Sequence, residues 1–254
     1  MPEKRHRQSN KMRYQIKHAL VQYAADTILE DVNFEVHDNE KIAIVGRNGC
    51  GKTTLINHLV EYFQKQGIEP LLTKQPTSYV RQSPIFRTYM DNPNHDAYSY
   101  RSLSLMAASD RIQHVHSVIE PALREGKVVI SDRYFYSCLA NLRARGYVQD
   151  KWIYEIAESM IQPDIAFFVD APVDIAVGRV RERANERHRY IDMELQYRLR
   201  DEYRLIALTE QAPILDSTKT LQETTEELYK IVAKAIQRKG LYEQQISEIR
   251  PQFV

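Results

Sequence analysis

The sequence predicts one α/β domain, a mainly parallel five-stranded sheet with helices on both faces and an N-terminal hairpin extension in front. Short apolar runs at 41–45, 69–73, 128–131, 165–169 and 214–216 have the length and composition of buried parallel strands. Stretches with helical spacing separate them. The first of these runs leads directly into Gly46-Arg47-Asn48-Gly49-Cys50-Gly51-Lys52-Thr53, and helical spacing resumes from Leu55 to Phe63.

Taken in order, residues 1–13 read as a basic arm and Tyr14 to Ala25 as a short helix. Ile28 to Val36 alternates as a half-exposed strand does, and His37-Asp38-Asn39-Glu40 supplies turn residues, so a hairpin with the strand at Lys41 is expected. The helix over Ser102 to Arg124 is predicted to present Leu105, Ile112, Val115 and Ile119 as one apolar stripe. A last amphipathic helix is expected over Leu221 to Ile236. The boundaries that follow are an extension at 1–40, a main domain at 41–239 and a tail at 240–254.

The glycine-rich turn between strand and helix is a phosphate-binding loop, which places the domain in the P-loop NTPase fold. Glycines let backbone N–H groups turn inward around phosphates, and a helix N-terminus adds its dipole. Gly46, Arg47, Asn48, Gly49, Cys50, Gly51, Lys52, Thr53 and Thr54 are therefore the expected ATP-binding residues. Lys52 is suited to neutralise the outer phosphates and Thr53 to ligate magnesium. The run Val128 to Ser131 ends in Asp132-Arg133, where strand ends of such sheets face the ligand crevice. Asp132 is suited to orient the waters of Mg2+ and Arg133 to grip a second phosphate.

Ala107-Ala108-Ser109-Asp110-Arg111-Ile112-Gln113-His114, Asp132-Arg133-Tyr134, Thr73-Lys74-Gln75-Pro76-Thr77, Pro163 to Asp170, and Arg189-Tyr190 with Glu194 to Arg200 resemble, in order, motifs of the thymidylate kinases. The resemblance covers about residues 41–236. It implies phosphoryl transfer from ATP, with Mg2+, to a nucleoside monophosphate. Asn48, Gln75, Ala107, Arg111, Arg133, Ser137, Cys138 and Asn141 take the acceptor-binding positions, with Arg111 beside Arg133 on the acceptor phosphate. A lid is implied near 179–193. Its arginines, Arg181, Arg183, Arg187 and Arg189, join Lys52, Asp132 and Arg133 as catalytic candidates, because some family members carry a basic residue in the loop where this chain has Gly49. A homodimer is implied as well.

The chain also departs from the family. Ala107 stands where a phenylalanine stacks on thymine, Asn141 replaces a tyrosine, Asn48 replaces an aspartate, Gln75 a glutamate and Ile191 an acid. These changes lead us to expect an acceptor other than thymidylate, or a different ring such as Tyr100, seven residues before Ala107, turned toward the base.

Composition narrows the field further. The 254-residue chain is 43% hydrophobic, enough for a core, and no apolar run is long enough to span a membrane. Neither a signal-type segment nor an obvious disulfide pair is evident: Cys50 lies in the phosphate loop, far from Cys138. A reduced, cytoplasmic setting is expected. Net charge is +1, but residues 1–20 are basic and 21–40 acidic. Such a head can touch nucleic acid, although a solvated terminus is the plainer reading. The strand before the loop also looks like the opening of an ABC-type ATPase, which leaves a partner-coupled ATPase as one alternative and a nucleoside kinase as another. The ABC signature Leu-Ser-Gly-Gly is absent.

Overall fold

The computed structural model describes residues 12–23, 26–37, 41–91, 98–149, 151–187 and 190–249. Residues 1–11 of the expected arm, the 38–40 turn, Arg189 and residues 250–254 lie outside the described residues.

Strands β3 (Lys41–Val45), β4 (Leu71–Lys74), β5 (Val129–Asp132), β6 (Ile165–Asp170) and β7 (Ile214–Asp216) form one parallel sheet in the order β4-β5-β3-β6-β7. The central strand β3 is buried on both faces. Ile42 and Ile44 face α1 (Lys52–Lys65) and α10 (Leu221–Ile249), and Ala43 and Val45 face the other layer. That layer holds α4 (Tyr100–His114), α6 (Phe135–Ala144) and α9 (Met193–Thr209). Two short helices, α2 (Ser78–Arg81) and α3 (Pro84–Asp91), follow β4, and α5 (Glu120–Arg124) precedes β5. Helix α7 (Trp152–Glu158) leads to β6, and α8 (Val173–Arg181) follows it. The chain leaves β3 for one side of the sheet and returns to the other between β5 and β6, so the crevice opens at the C-terminal end of β3. Among the described residues, no helix is long and apolar enough to cross a membrane.

The extension differs from expectation. Met12–Tyr23 is a strand, β1, and not a helix; it pairs antiparallel with β2 (Asp26–His37) from Met12↔His37 to Tyr23↔Asp26. The hairpin partner of β2 is therefore β1 and not β3, and the pair forms its own sheet lying against α10. Register irregularities between Ile16 and Ala19 and again on to Gln22 break the alternation that would have revealed β1. Helix α10 also runs beyond the expected end at 236, to Ile249.

The single stripe expected along 102–124 is not formed either. Leu105 and Ile112 are 50% and 41% exposed, whereas Leu103, Ala107, Ala108 and Arg111 are buried. Val115–Ile119 forms a π-helical turn, with the Glu120 N–H donating to the Val115 carbonyl. Pro121 has no N–H to offer the Ser117 carbonyl, and the wider turn re-phases the helix so that Val115 and Ile119 enter the core.

Candidate active site

The phosphate loop is held by packing that only glycine permits. Gly46 and Gly49 have φ of 150° and 83°; a Cβ on Gly46 would sit 2.6 Å from the Val169 carbonyl oxygen, and one on Gly49 2.0 Å from that of Ala176. Gly51, at φ 80°, is the N-cap of α1, and no side chain caps that helix. Its first-turn N–H groups are thus available to an anion. Thr53 and Thr54 are exposed on that turn, while Cys50 is buried in the core beneath it as a small filler.

Lys52 is buried and donates from Nζ to the Arg47 carbonyl at 2.8 Å. Burial, with Arg133 and Lys74 adding to it against Asp132, pulls its pKa down to about 7. A polyphosphate at the loop would restore the charge. Arg47 turns away from solvent, donating to the Ala171 carbonyl and lying 3.9 Å from Asp170. Asp170 is held bidentately by Arg200 at 2.9–3.2 Å, so this carboxylate at the end of β6 anchors the base of the loop.

Asp132 ends β5 beside Lys52. Burial favours its neutral form, but Arg133, Lys52 and Lys74 outweigh that and hold its carboxyl below the usual range. Lys74 reaches Oδ2 at 2.6 Å, whereas Oδ1 is buried with no hydrogen-bond partner among the described residues. Arg133 has a left-handed backbone, φ 71°, at an expected strain of about 1–3 kcal/mol. Its N–H donates to the Ile44 carbonyl at 2.8 Å and its own carbonyl accepts from Ser131 Oγ at 2.6 Å. This twist sends the guanidinium over the crevice to Asn48 Oδ1 at 2.6 Å, Tyr203 OH at 3.3 Å and Ser137 Oγ at 3.4 Å.

Beside the loop opens a cleft of about 1150 Å³, and the expected acceptor-binding residues Asn48, Gln75, Ala107, Arg111, Arg133, Ser137, Cys138 and Asn141 all line it. Gln75 is fully buried. Its N–H donates to the Asp132 carbonyl at 3.1 Å, and its Nε2 meets Nδ1 of His114 at 3.1 Å. Burial lowers the pKa of His114 despite Asp110, so the ring is neutral and its remaining proton goes from Nε2 to Thr73 Oγ1, 2.7 Å away. Asp110 in turn accepts from Thr77 N–H and Oγ1 at 2.7 and 2.5 Å. Helix α4 thereby fixes the segment after β4. Further buried atoms on this cleft, among them Arg47 Nη1, Gln75 Oε1, Ser104 Oγ and Arg111 Nε, have no hydrogen-bond partner among the described residues. Unpaired buried polar groups cost about 1–3 kcal/mol each, so such a cluster is suited to a polar ligand.

Of the arginines expected in the lid, Arg181, Arg183 and Arg187 do not line the cleft, and Arg189 lies outside the described residues. Arg179 is in α8 and is tied to Ser217 Oγ and O at 3.1 and 2.8 Å. Arg183 lies 3.7 Å from Glu186, and Arg181 and Arg187 are exposed. From the 179–193 segment, Ala184, Asn185, Glu186, Tyr190 and Ile191 line the cleft. Tyr134, Phe135 and Tyr136 are all core residues.

Several cleft residues lay outside the expected set: Lys74, Tyr89, Ser104, Arg145 and Tyr203. Ser104 could have been found, because it shares a helical face with Ala107 and Arg111. Tyr89 and Arg145 carry no such local signal.

A sequence model of the family described as Thymidylate kinase matches residues 44–228. A probable thymidylate kinase of Pyrococcus abyssi is 34% identical over 197 residues, covering 75% of this chain and 94% of that protein. Thymidylate kinases of Fervidobacterium nodosum and Acinetobacter baylyi are 31% and 34% identical, each over 75% of this chain and over 96% and 99% of their own lengths. The matched region begins in β3 and ends in α10, so it takes in the phosphate loop, Asp132-Arg133 and the acceptor cleft. The partner-coupled ATPase and nucleoside kinase alternatives draw no support from these matches. The loop that can take only glycine, the twisted Arg133 that joins it to the neighbouring cleft, and these relatives agree: the chain belongs to the thymidylate kinase family and is an ATP-using nucleoside monophosphate kinase.

Proposed function

We propose that the protein transfers the γ-phosphoryl group of ATP to thymidylate, giving thymidine diphosphate and ADP. The observation that carries this is Arg133, which stands on the acceptor wall and reaches Asn48 of the donor loop. A phosphate on each side would be held in line across it, and positioning with charge neutralisation is most of what phosphoryl transfer asks of a protein. The relatives are named as thymidylate kinases. The expectation that the changed pocket residues signal a different acceptor finds no support among them, so thymidylate is the acceptor in this reading.

Lys52 and the α1 N-terminus hold the β- and γ-phosphates. Magnesium fits the residues present, since Thr53 is exposed at the loop end and Asp132 keeps one buried oxygen without a partner. The ion would neutralise the outer phosphates when bound. Arg133 with Ser137 holds the acceptor phosphate, together with Arg111, whose Nη1 is tied to the Ala107 carbonyl at 2.9 Å and whose buried Nε has no hydrogen-bond partner among the described residues. Arg181, Arg183, Arg187 and Arg189 serve as the cationic cover when the 179–193 segment closes, and Gly49 leaves that task to them. A homodimer through the outer face of α4, where Leu105 and Ile112 are exposed, belongs to the same reading, as does a cytoplasmic setting.

Coupled detection of ADP tests the proposal. The parent protein is expected to turn over ATP only when thymidylate is added, and Lys52→Ala and Arg133→Ala are each expected to lose about 100-fold or more in kcat/KM. Undiminished variants, or full ATP turnover without an acceptor, would refute it.

A further inference from the structure

Ala107 leaves the cleft without the ring that the family's pattern puts there, yet the structure supplies another flat surface. Helices α4 and α6 run side by side in opposite directions along the cleft, with the Cys138 thiol 3.9 Å from the Ser104 carbonyl and, farther along, Arg145 beside Tyr100. The Arg145 guanidinium lies 4.0 Å over the Tyr100 ring. It donates from Nε to Tyr89 OH at 3.3 Å and from Nη1 to Asn141 Oδ1 and O at 2.8 and 3.2 Å. Tyr89 in turn meets Tyr100 with ring centroids 5.6 Å apart. An arginine at a helix end ordinarily keeps its rotamer freedom, whereas this one is locked into a plane by three neighbours that also line the cleft.

The spacing fits a nucleotide. Ser137, Asn141 and Arg145 follow one another at intervals of four along α6, so Arg145 stands about 12 Å down the helix from the Ser137 that contacts Arg133. The guanidinium folds back one turn to bond Asn141, which shortens this spacing toward the phosphate-to-base length of a nucleotide. Between the two ends lie the small Ala107 and Ser104, the latter with an unpartnered Oγ at the base edge.

We propose that the stacked pair Tyr100 and Arg145, held by Tyr89 and Asn141, is the surface against which the acceptor base lies, and that Arg145 is a specificity-determining residue. The proposal rests on the nucleoside monophosphate kinase reading of the same cleft. Base stacking and cation–π contact are each worth little singly, which sets a modest effect. Steady-state kinetics with thymidylate are expected to show KM for thymidylate raised about three- to tenfold in Arg145→Ala, with KM for ATP and kcat within about twofold and a cooperative unfolding transition retained. Arg145→Lys is expected to resemble Arg145→Ala, because charge without a plane does not stack. Adding Ala107→Phe to Arg145→Ala is expected to recover affinity by restoring a ring, and Tyr100→Leu should repeat the KM increase should the arginine variant fold poorly. An unchanged thymidylate KM in folded Arg145→Ala, or a parental KM in Arg145→Lys, overturns the proposal. Uridylate, cytidylate and guanylate are run in parallel. A parent that uses one of these in place of thymidylate defeats the acceptor assignment alone, and the same comparison with that nucleotide then decides the platform.

Discussion

Buried charges give the clearest residue-scale consequences. Lys41, at the start of β3, is 1% exposed, lies 4.8 Å from the Tyr134 ring centroid and donates to the Ile161 carbonyl. Burial, opposed by Asp164, lowers its pKa to about 7. Lys52 is lowered to about 7 as well. In the unfolded chain both lysines keep their protons up to about 10.5, so between about pH 7 and 10.5 the unfolded state binds more protons than the native one. Stability contributed by the neutral lysines is then complete above about 10.5 and lost as pH falls to about 7. The ligand-free protein is expected to gain on the order of 1 kcal/mol per pH unit per lysine from pH 7.5 to 9.5, read by chemical denaturation. Lys41→Met is expected to remove about half that slope. Saturating ATP should remove the other half, since phosphates keep Lys52 charged in the native state. A flat profile for the parent would refute the burial argument.

At the scale of elements, the phosphate loop and α8 are one packing unit. The family can place a basic residue where Gly49 stands, but here the Ala176 carbonyl occupies the space a Cβ would need. Gly49→Arg is therefore expected to lower stability by about 3 kcal/mol, a fall of roughly 6–12 °C in the unfolding midpoint, and to gain no activity. A stable, more active variant would show that α8 can yield. The left-handed Arg133 and the loop are coupled in the same way: β5 delivers the residue, its N–H bonds to the Ile44 carbonyl of β3, and the guanidinium closes over Asn48. Strain at one residue is maintained by two strands and a loop that it cannot displace.

For the whole molecule, the phosphate loop and the cleft proposed for the acceptor share one crevice at the C-terminal edge of the sheet. Ligands that bind only the native state stabilise it by mass action, by about 2.7 kcal/mol at a hundredfold excess over Kd. ATP with magnesium and thymidylate are each expected to raise the unfolding midpoint by several degrees, and Lys52→Ala to abolish the ATP shift while keeping the thymidylate shift. Loss of both would mean that the two sites are not separable. The strand–loop–helix around Gly46 to Phe63, the five strands and the Asp132-Arg133 strand end were legible in the sequence because apolar runs, glycine backbone freedom and helix starts are local chemistry. Strand β1 was not, since bulges broke its period, and neither was the buried face of α4, which the turn before Pro121 rotated. The sequence by itself determined the strand, glycine loop and helix around Gly46 and the strand end that carries Asp132 and Arg133. Only the tertiary structure decided that Arg133 bridges to Asn48 across 85 residues, that Arg145 is fixed by Tyr89 across 56, and that Arg179 is tied to Ser217 across 38. Those pairings arise from how the helices pack on the sheet, and no local pattern encodes a contact between side chains so far apart along the chain.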